Sequence, residues 1–331
     1  MRYSPYDQNL TVFNNGNTGA TRDIVLPILE KESGLKVGRD FYLAHCPERI
    51  DPGNKNFYVG NLNRVLGGIT DNCTKRAMEF YSGIIDAKIL PLNSVEEAEF
   101  VKSWENSYRN VQIALSNEAA VICDALNMDI TRVLEGLQSK VDQFGLSLAK
   151  PGIGPGGHCI PEDIHYVIKR ARQGGVDTRL LEDAADLNDK MPQYALHRLA
   201  EMVRDAGEEI STLRVALLGL AYKPEIADIR RSPSFEVAHN LVRYTKSFVV
   251  HDPFTKNVHD QLPGVKHMES LEDALEYADI IFIGTAHHLY INQLNADMLA
   301  KYHVCFVLDG RNALDKTAIE AAGISYRGIG R

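Results

Sequence analysis

An α/β protein is what the sequence predicts: two doubly wound parallel-sheet regions joined by a long central helix. Three observations carry that expectation. Short apolar runs alternate with stretches of helical spacing over residues 1–92 and again from Thr212 onward, the pattern of strand–helix–strand units. Between these regions, apolar residues recur every three or four positions with no Pro or Gly from Ser94 to about Leu126, which reads as one helix. The chain has 331 residues, 44% hydrophobic and 24% charged, a globular composition long enough for two or three domains.

In chain order, Asp23–Lys31 has helical spacing, Phe41–Cys46 reads as a strand, and Arg64–Gly68 as another. Cys73–Tyr81 is helical and Lys88–Leu92 is a third strand. Ser94 followed by Glu97 forms a capping box at the head of the long helix. Along that helix Phe100, Trp104, Tyr108, Val111, Leu115 and Ala119 fall at helical spacing, suiting a spine or a dimer contact. Ile130–Leu137 is a further helix, Lys150–Pro161 a Gly/Pro-rich loop, and Asp163–Gln173 and Leu180–Ala206 are helices. Then Arg214–Leu220, Phe248–His251, Ile280–Gly284 and Cys305–Asp309 read as strands, with helices over Phe235–Thr245 and Leu271–Ala278. The expected domains are 1–92, 93–210 and 211–331.

The formal charge of −8 and the lack of a basic face argue against nucleic acid. No apolar run reaches the roughly 18 residues of a membrane span, and the first residues lack a signal-peptide pattern. Five scattered cysteines, without C-x-x-C or zinc spacing, predict free thiols in a reducing cytoplasm and no metal site.

Three stretches could carry chemistry. Gly152–Asp163 holds Gly154, Gly156, Gly157, Cys159 and Asp163. It is either a mobile connector or a loop that approaches a ligand closely and presents Cys159 at a helix start, where the dipole favours negative charge. It is not a dinucleotide fingerprint, because no strand runs into it and Pro155 sits inside it. Lys102 and Asn106, four apart, share a helix face that is either solvated or arranged to hold an oxyanion. Val215–Pro233 runs from a strand into a loop with Lys223, Arg230 and Arg231, either a charged surface or a diphosphate site.

Together these stretches resemble the UDP-glucose/GDP-mannose dehydrogenase family, in particular its UDP-N-acetylhexosamine 6-dehydrogenase branch. The carriers are Cys46-Pro-Glu48-Arg-Ile-Asp-Pro-Gly53, the Lys102/Asn106 helix, Gly154-Pro-Gly-Gly-His-Cys159 and Asn188-Asp-Lys-Met-Pro192. They continue with Gly219-Leu-Ala-Tyr-Lys223, Asp228-Ile-Arg230, His251-Asp-Pro253 and Leu308-Asp-Gly-Arg311. The resemblance implies two Rossmann-like domains and oxidation of the sugar C6 hydroxymethyl to a carboxylate with two NAD. On that template Cys159 is the nucleophile that forms a thioester, and Lys102 and Asn106 stabilise oxyanions. Asp163 is the base or water-orienting carboxylate, and Glu48 serves thioester hydrolysis. Lys223, Tyr222, Arg311 and Gly156 contact the UDP-sugar, Arg230 reaches the NAD pyrophosphate, and the long helices pair in a homodimer.

The resemblance departs at the N-terminal side. Nothing before Phe41 contains G-x-G-x-x-G, so the first domain reads as incomplete and the chain alone is expected to bind NAD weakly. Asn15 stands where the family has a threonine, whereas Gly19 and Thr21 match it. The alternative to a dehydrogenase is an inactive nucleotide-sugar-binding and dimerisation remnant. A thiol-dependent acyltransferase or hydrolase is a third reading, for which His158 is the neighbouring candidate base.

Overall fold

The computed structural model describes residues 10–13, 18–50, 56–144, 148–245, 247–256, 258 and 260–331, with backbone alone for 10–13 and 141–144. Asn15 and the Asp51–Gly53 end of the Cys46 motif lie outside the described residues. The chain forms two compact units, residues 1–108 with 162–179, and residues 109–161 with 180–331.

The first unit is built on a four-stranded sheet in the order β1-β2-β3-β4, comprising β1 (Leu10–Phe13), β2 (Tyr42–His45), β3 (Arg64–Gly68) and β4 (Ile89–Pro91). Helix α1 (Leu26–Ser33) follows a wide helical turn over Thr21–Val25, and α2 (Asp71–Ser82) joins β3 to β4. Thr70 caps α2 by accepting the Cys73 N–H. The sheet is not parallel throughout as expected. β2 and β3 run antiparallel, Ala44 opposite Gly68, whereas β1/β2 and β3/β4 are parallel. A parallel neighbour needs a crossover, usually a helix, and no helix lies among the described residues between His45 and Arg64.

Helix α3 (Val95–Ala125) is the long helix of the sequence pattern. Ser94 Oγ accepts the Glu97 N–H at 3.1 Å, and Glu97 reaches back to the Asn93 N–H at 2.8 Å, so the capping box closes one residue further out than its usual form. Next come α4 (Ile130–Phe144), α5 (Cys159–Gln173) and α6 (Arg179–Asp205).

The sheet of the second unit has six parallel strands in the order β10-β9-β8-β5-β6-β7. They are β5 (Val215–Leu218), β6 (Phe248–His251), β7 (Lys266–His267), β8 (Ile280–Ile283), β9 (Phe306–Asp309) and β10 (Ser325–Gly328). The helices between them are α7 (Pro233–Leu241), α8 (Leu271–Tyr277), α9 (His288–Gln293), α10 (Ala296–Lys301) and α11 (Lys316–Ala321). Side chains alternate between two cores, as strand geometry requires. Val215, Leu217, Phe282 and Leu308 pack with Leu196, Leu199 and Val203 of α6. Ala216, Leu218, Ile281 and Val307 pack with Leu271, Leu275 and Ile319. β10 escapes the sequence pattern because it is an edge strand, with buried Tyr326 and Gly328 alternating with half-buried Ser325 and Arg327.

Candidate active site

In the second unit, β6 and β7 lie on one side of β5 and β8, β9 and β10 on the other. Chain direction across the sheet therefore reverses between β5 and β8, and ligands of open α/β sheets bind beyond the carboxyl ends of strands at such a point. The residues there are the Gly219–Lys223 turn after β5, Gly284 after β8, and Arg311 just beyond β9. Arg311 Nε donates to the Gly284 carbonyl at 2.8 Å, and its backbone N–H to Asp309 at 3.0 Å. Burial draws the Arg311 pKa down to about 10, against the favourable charge of Asp309; it is still a cation at neutral pH. Ser232 caps α7, and Pro233 occupies its first turn. Arg231 precedes that cap with φ at +46°, a backbone state that costs a non-glycine residue about 1–3 kcal/mol.

The glycine loop is bound to this end of the sheet. The Gly157 N–H donates to the Arg230 carbonyl at 3.0 Å. A methyl on Gly156 would lie 2.5 Å from Tyr222 Cβ and 2.8 Å from Pro233 Cδ, so only glycine lets the backbones meet. Gly154, at φ +103°, approaches the Asn188 carbonyl in the same way. Pro192, inside α6, has no N–H to return to that carbonyl, which leaves room for the loop. Cys159 is exposed and is the first residue of α5. A cleft of about 360 Å³ runs along Ile153, Pro155 and Pro161, the Asn188–Pro192 turn of α6 and the Arg231–Pro233 start of α7.

The turn that carries Tyr222 and Lys223 is pinned from below. Asp252 accepts the Leu220 and Ala221 N–H groups at 2.6 and 3.0 Å and those of Phe254 and Thr255 at 2.9 and 2.8 Å. His287, buried with it, sits 3.1 Å away through Nε2, and its Nδ1 accepts the Glu225 N–H at 3.1 Å. That pattern fixes the tautomer with the proton on Nε2. Sequence reasoning singled out Asp252 only within a motif and missed His287, which lies far along the chain in an unpatterned stretch.

In the first unit Asn106 is buried and donates to Asp163 at 2.6 Å. Lys102 lies one turn before Asn106 on α3 and is half-buried. Glu48 accepts the Arg49 and Ile50 N–H groups at 2.7 Å each and meets Arg64 at 3.3 Å. Burial pushes the Glu48 carboxyl up, but the Ile50 N–H, the charge of Arg64 and the Arg49 N–H together hold it below the usual carboxylate range. Arg49 is in turn ion-paired to Glu105 of α3. Glu99, one turn before Lys102, was not legible as a special residue. It is wholly buried and accepts the Gly19 and Thr21 N–H groups and the Thr21 hydroxyl at 2.5, 2.8 and 2.6 Å. A carboxylate flanked by Ala98 and Phe100 within a helical run is the one signal that could have marked it.

Among the described residues no group of His, Cys, Asp and Glu is arranged to hold a metal ion, and no helix is long and apolar enough to cross a membrane. Toward a dinucleotide they offer Arg230. Its guanidinium is oriented by Asp228 through Nε at 3.0 Å to both carboxylate oxygens while its side chain stays 67% exposed, an arrangement that fits a pyrophosphate.

Comparison with known proteins places these observations. Residues 12–85 match the NAD binding domain of the UDP-glucose/GDP-mannose dehydrogenase family, 96–190 its central domain and 216–316 its UDP binding domain. The chain is 32% identical over 312 residues to a UDP-N-acetyl-D-mannosamine dehydrogenase of Pyrococcus horikoshii, covering 94% of this chain and 70% of that protein. It is 31% identical over 270 residues to a UDP-N-acetyl-D-glucosamine 6-dehydrogenase of Pseudomonas aeruginosa, covering 82% and 60%. Two solved structures superpose with a TM-score of 0.86. One is a UDP-D-ManNAc dehydrogenase from Pyrococcus horikoshii, 30% identical, covering 97% of this chain and 72% of that one. The other is an NDP-N-acetyl-D-galactosaminuronic acid dehydrogenase from Methanosarcina mazei, 32% identical, covering 97% and 69%. This chain belongs to the UDP-glucose/GDP-mannose dehydrogenase family.

Proposed function

We propose that the protein oxidises the C6 hydroxymethyl of a UDP-N-acetylhexosamine to a carboxylate, with Cys159 as the covalent nucleophile. The observation that carries the reading is the Gly152–Ile160 loop, which seats an exposed thiol at a helix start beside the switch point of a UDP-binding fold. NAD, when bound, would supply the hydride acceptor for each of two oxidations. The chain supplies the rest. Arg311, Lys223, Tyr222 and the Gly156 backbone hold the nucleotide-sugar. The alcohol loses a hydride and a proton to give an aldehyde, to which the Cys159 thiolate adds. Loss of a second hydride leaves a thioester; water cleaves it, returning the thiol and releasing the uronate. Lys102 and Asn106 supply N–H donors for the oxyanions, and Asp163, fixed by Asn106, handles the proton. Glu48, ionised and oriented by two backbone N–H groups, serves hydrolysis. Arg230 holds the cofactor's pyrophosphate.

The test is a turnover assay with purified protein, NAD and a panel of UDP-hexoses and UDP-N-acetylhexosamines. The expected result is two NADH formed per uronate, with an N-acetylated sugar preferred over UDP-glucose. A ratio of one NADH per sugar, with aldehyde as product, would sink the thioester route.

The protein acts as a homodimer in this reading. Phe100 and Trp104 stack at 5.4 Å on the outer face of α3 and, with Tyr108, are 41%, 46% and 56% exposed, an apolar stripe that suits a second copy. Trp104→Glu is expected to halve the mass seen by light scattering. An unchanged mass would remove this stripe as the interface.

A further inference from the structure

We infer that Asn110, Asn117 and Asn188 form a directed amide ladder that positions the Cys159 loop; the inference rests on the reading of Cys159 given above. All three are buried, at 2%, 0% and 2% exposure. Asn110 and Asn117 stand two turns apart on α3, and Asn188 reaches them from α6. The Gly152 N–H donates to Asn117 Oδ1 at 2.9 Å. Asn117 Nδ2 donates to Asn188 Oδ1 at 2.9 Å. Asn188 Nδ2 donates to Asn110 Oδ1 at 2.9 Å and to the Asn110 carbonyl at 3.0 Å. Asn110 Nδ2 closes the series on the Ile160 carbonyl at 3.2 Å.

The ladder therefore starts on the first residue of the loop and ends on the residue after Cys159. Its two ends are a backbone donor and a backbone acceptor, neither of which can change role. Every amide between them must point the same way, oxygen toward Gly152 and nitrogen toward Ile160. Head-to-tail amides polarise one another, and in a buried setting a broken link leaves unpaired groups on both sides. Between Gly152 and Gly157 the loop is glycine and proline apart from the core residue Ile153, so it has no polar side chain of its own to fix its backbone. Alongside the Gly157–Arg230 backbone bond, its shape is held by three side chains from two helices, and these are positioning residues that act through the loop backbone.

Asparagine-to-aspartate changes test this because they keep the shape and remove the donor. Asn188→Asp and Asn110→Asp each set a carboxylate oxygen against an acceptor oxygen. Backbone hydrogen exchange, read by mass spectrometry on peptides spanning 150–160, is expected to rise tenfold or more in Asn188→Asp, with β5 and β8 amides unchanged. Asn110→Asp, which loses only the Ile160 link, is the second variant should Asn188→Asp fail to fold. Alkylation by iodoacetamide gives an independent reading within one sample. The Cys159-to-Cys305 labelling ratio is expected to shift at least threefold, while buried Cys46, Cys73 and Cys123 stay unlabelled. Native exchange in the loop of a folded variant overturns the inference, as does a rise shared equally by the whole sheet. Neither readout requires turnover. A failure of Cys159 as nucleophile would therefore show in the assay and leave the exchange result standing.

Discussion

Cys159→Ser is expected to lower kcat for uronate formation by roughly 10⁴–10⁶-fold, the range seen when a member of a nucleophilic unit is removed. The thiolate combines strong nucleophilicity with good leaving ability, and both are needed: the first to trap the aldehyde, the second to release the acid. A serine hydroxyl has neither at neutral pH. UDP affinity, measured by calorimetry on the same variant, is expected to stay within about twofold, because Tyr222, Lys223 and Arg311 lie beyond the β5 and β9 strand ends and Gly156 contributes only its backbone. Retention of uronate formation within tenfold of the native rate would mean that the second oxidation does not pass through this sulfur. Loss of UDP binding in the variant would instead mean that the loop, and not the chemistry, was damaged.

Asp252→Ala is expected to destabilise the second unit by about 3–5 kcal/mol, the cost of breaking a buried charged network on one side. That corresponds to a fall of roughly 6–20 °C in Tm for a domain of this size. The carboxylate accepts four backbone N–H groups and faces His287; alanine removes this acceptor from the buried residues Leu220, Ala221, Thr255 and His287. Burial alone would raise the Asp252 pKa, but the hydrogen bonds from His287, Ala221 and Leu220 hold it far below the usual carboxylate range. A folded-state pKa lower than the unfolded value of about 3.9 makes the native state bind the proton less readily. The linked stability is therefore complete above that value and is lost as pH falls from it toward the folded pKa. Unfolding titrations between about pH 5 and pH 2.5 are expected to show a steeper loss for the native protein than for Asp252→Asn. Superimposable pH profiles would show that Asp252 contributes no such linkage.

The strands of the second unit were legible because β5, β8 and β9 are buried on both faces and so read as continuous apolar runs. Their ends were less so. The expected strand to Leu220 stops at Leu218, since Gly219 turns at φ +88°. The expected helix from Phe235 starts at Pro233, since Ser232 caps it. The antiparallel β2/β3 pair was missed because strand direction leaves no mark in the residues of either strand. Among the candidate residues, Cys159, Lys102 and Asn106 stood out by residue type at helical spacing or in a glycine loop. Glu99, Asn110, Asn117 and His287 did not, because their partners lie between 35 and 80 positions away or depend on backbone groups that no side-chain pattern encodes.

The ladder also has a bearing on how the protein ages. Asparagine turns into aspartate spontaneously when the next backbone nitrogen attacks the side-chain amide, which makes it a thermolabile residue. Here that reaction would write into the molecule the same donor-to-acceptor change that breaks the ladder. Asn110 and Asn117 lie within α3 and Asn188 within α6, where the following nitrogens are engaged in helical hydrogen bonds and the attack geometry is denied. Three amides on which the loop depends are thus kept where the chemistry of storage and heat reaches them last, whereas the same residues on a loop would give the protein a shelf life.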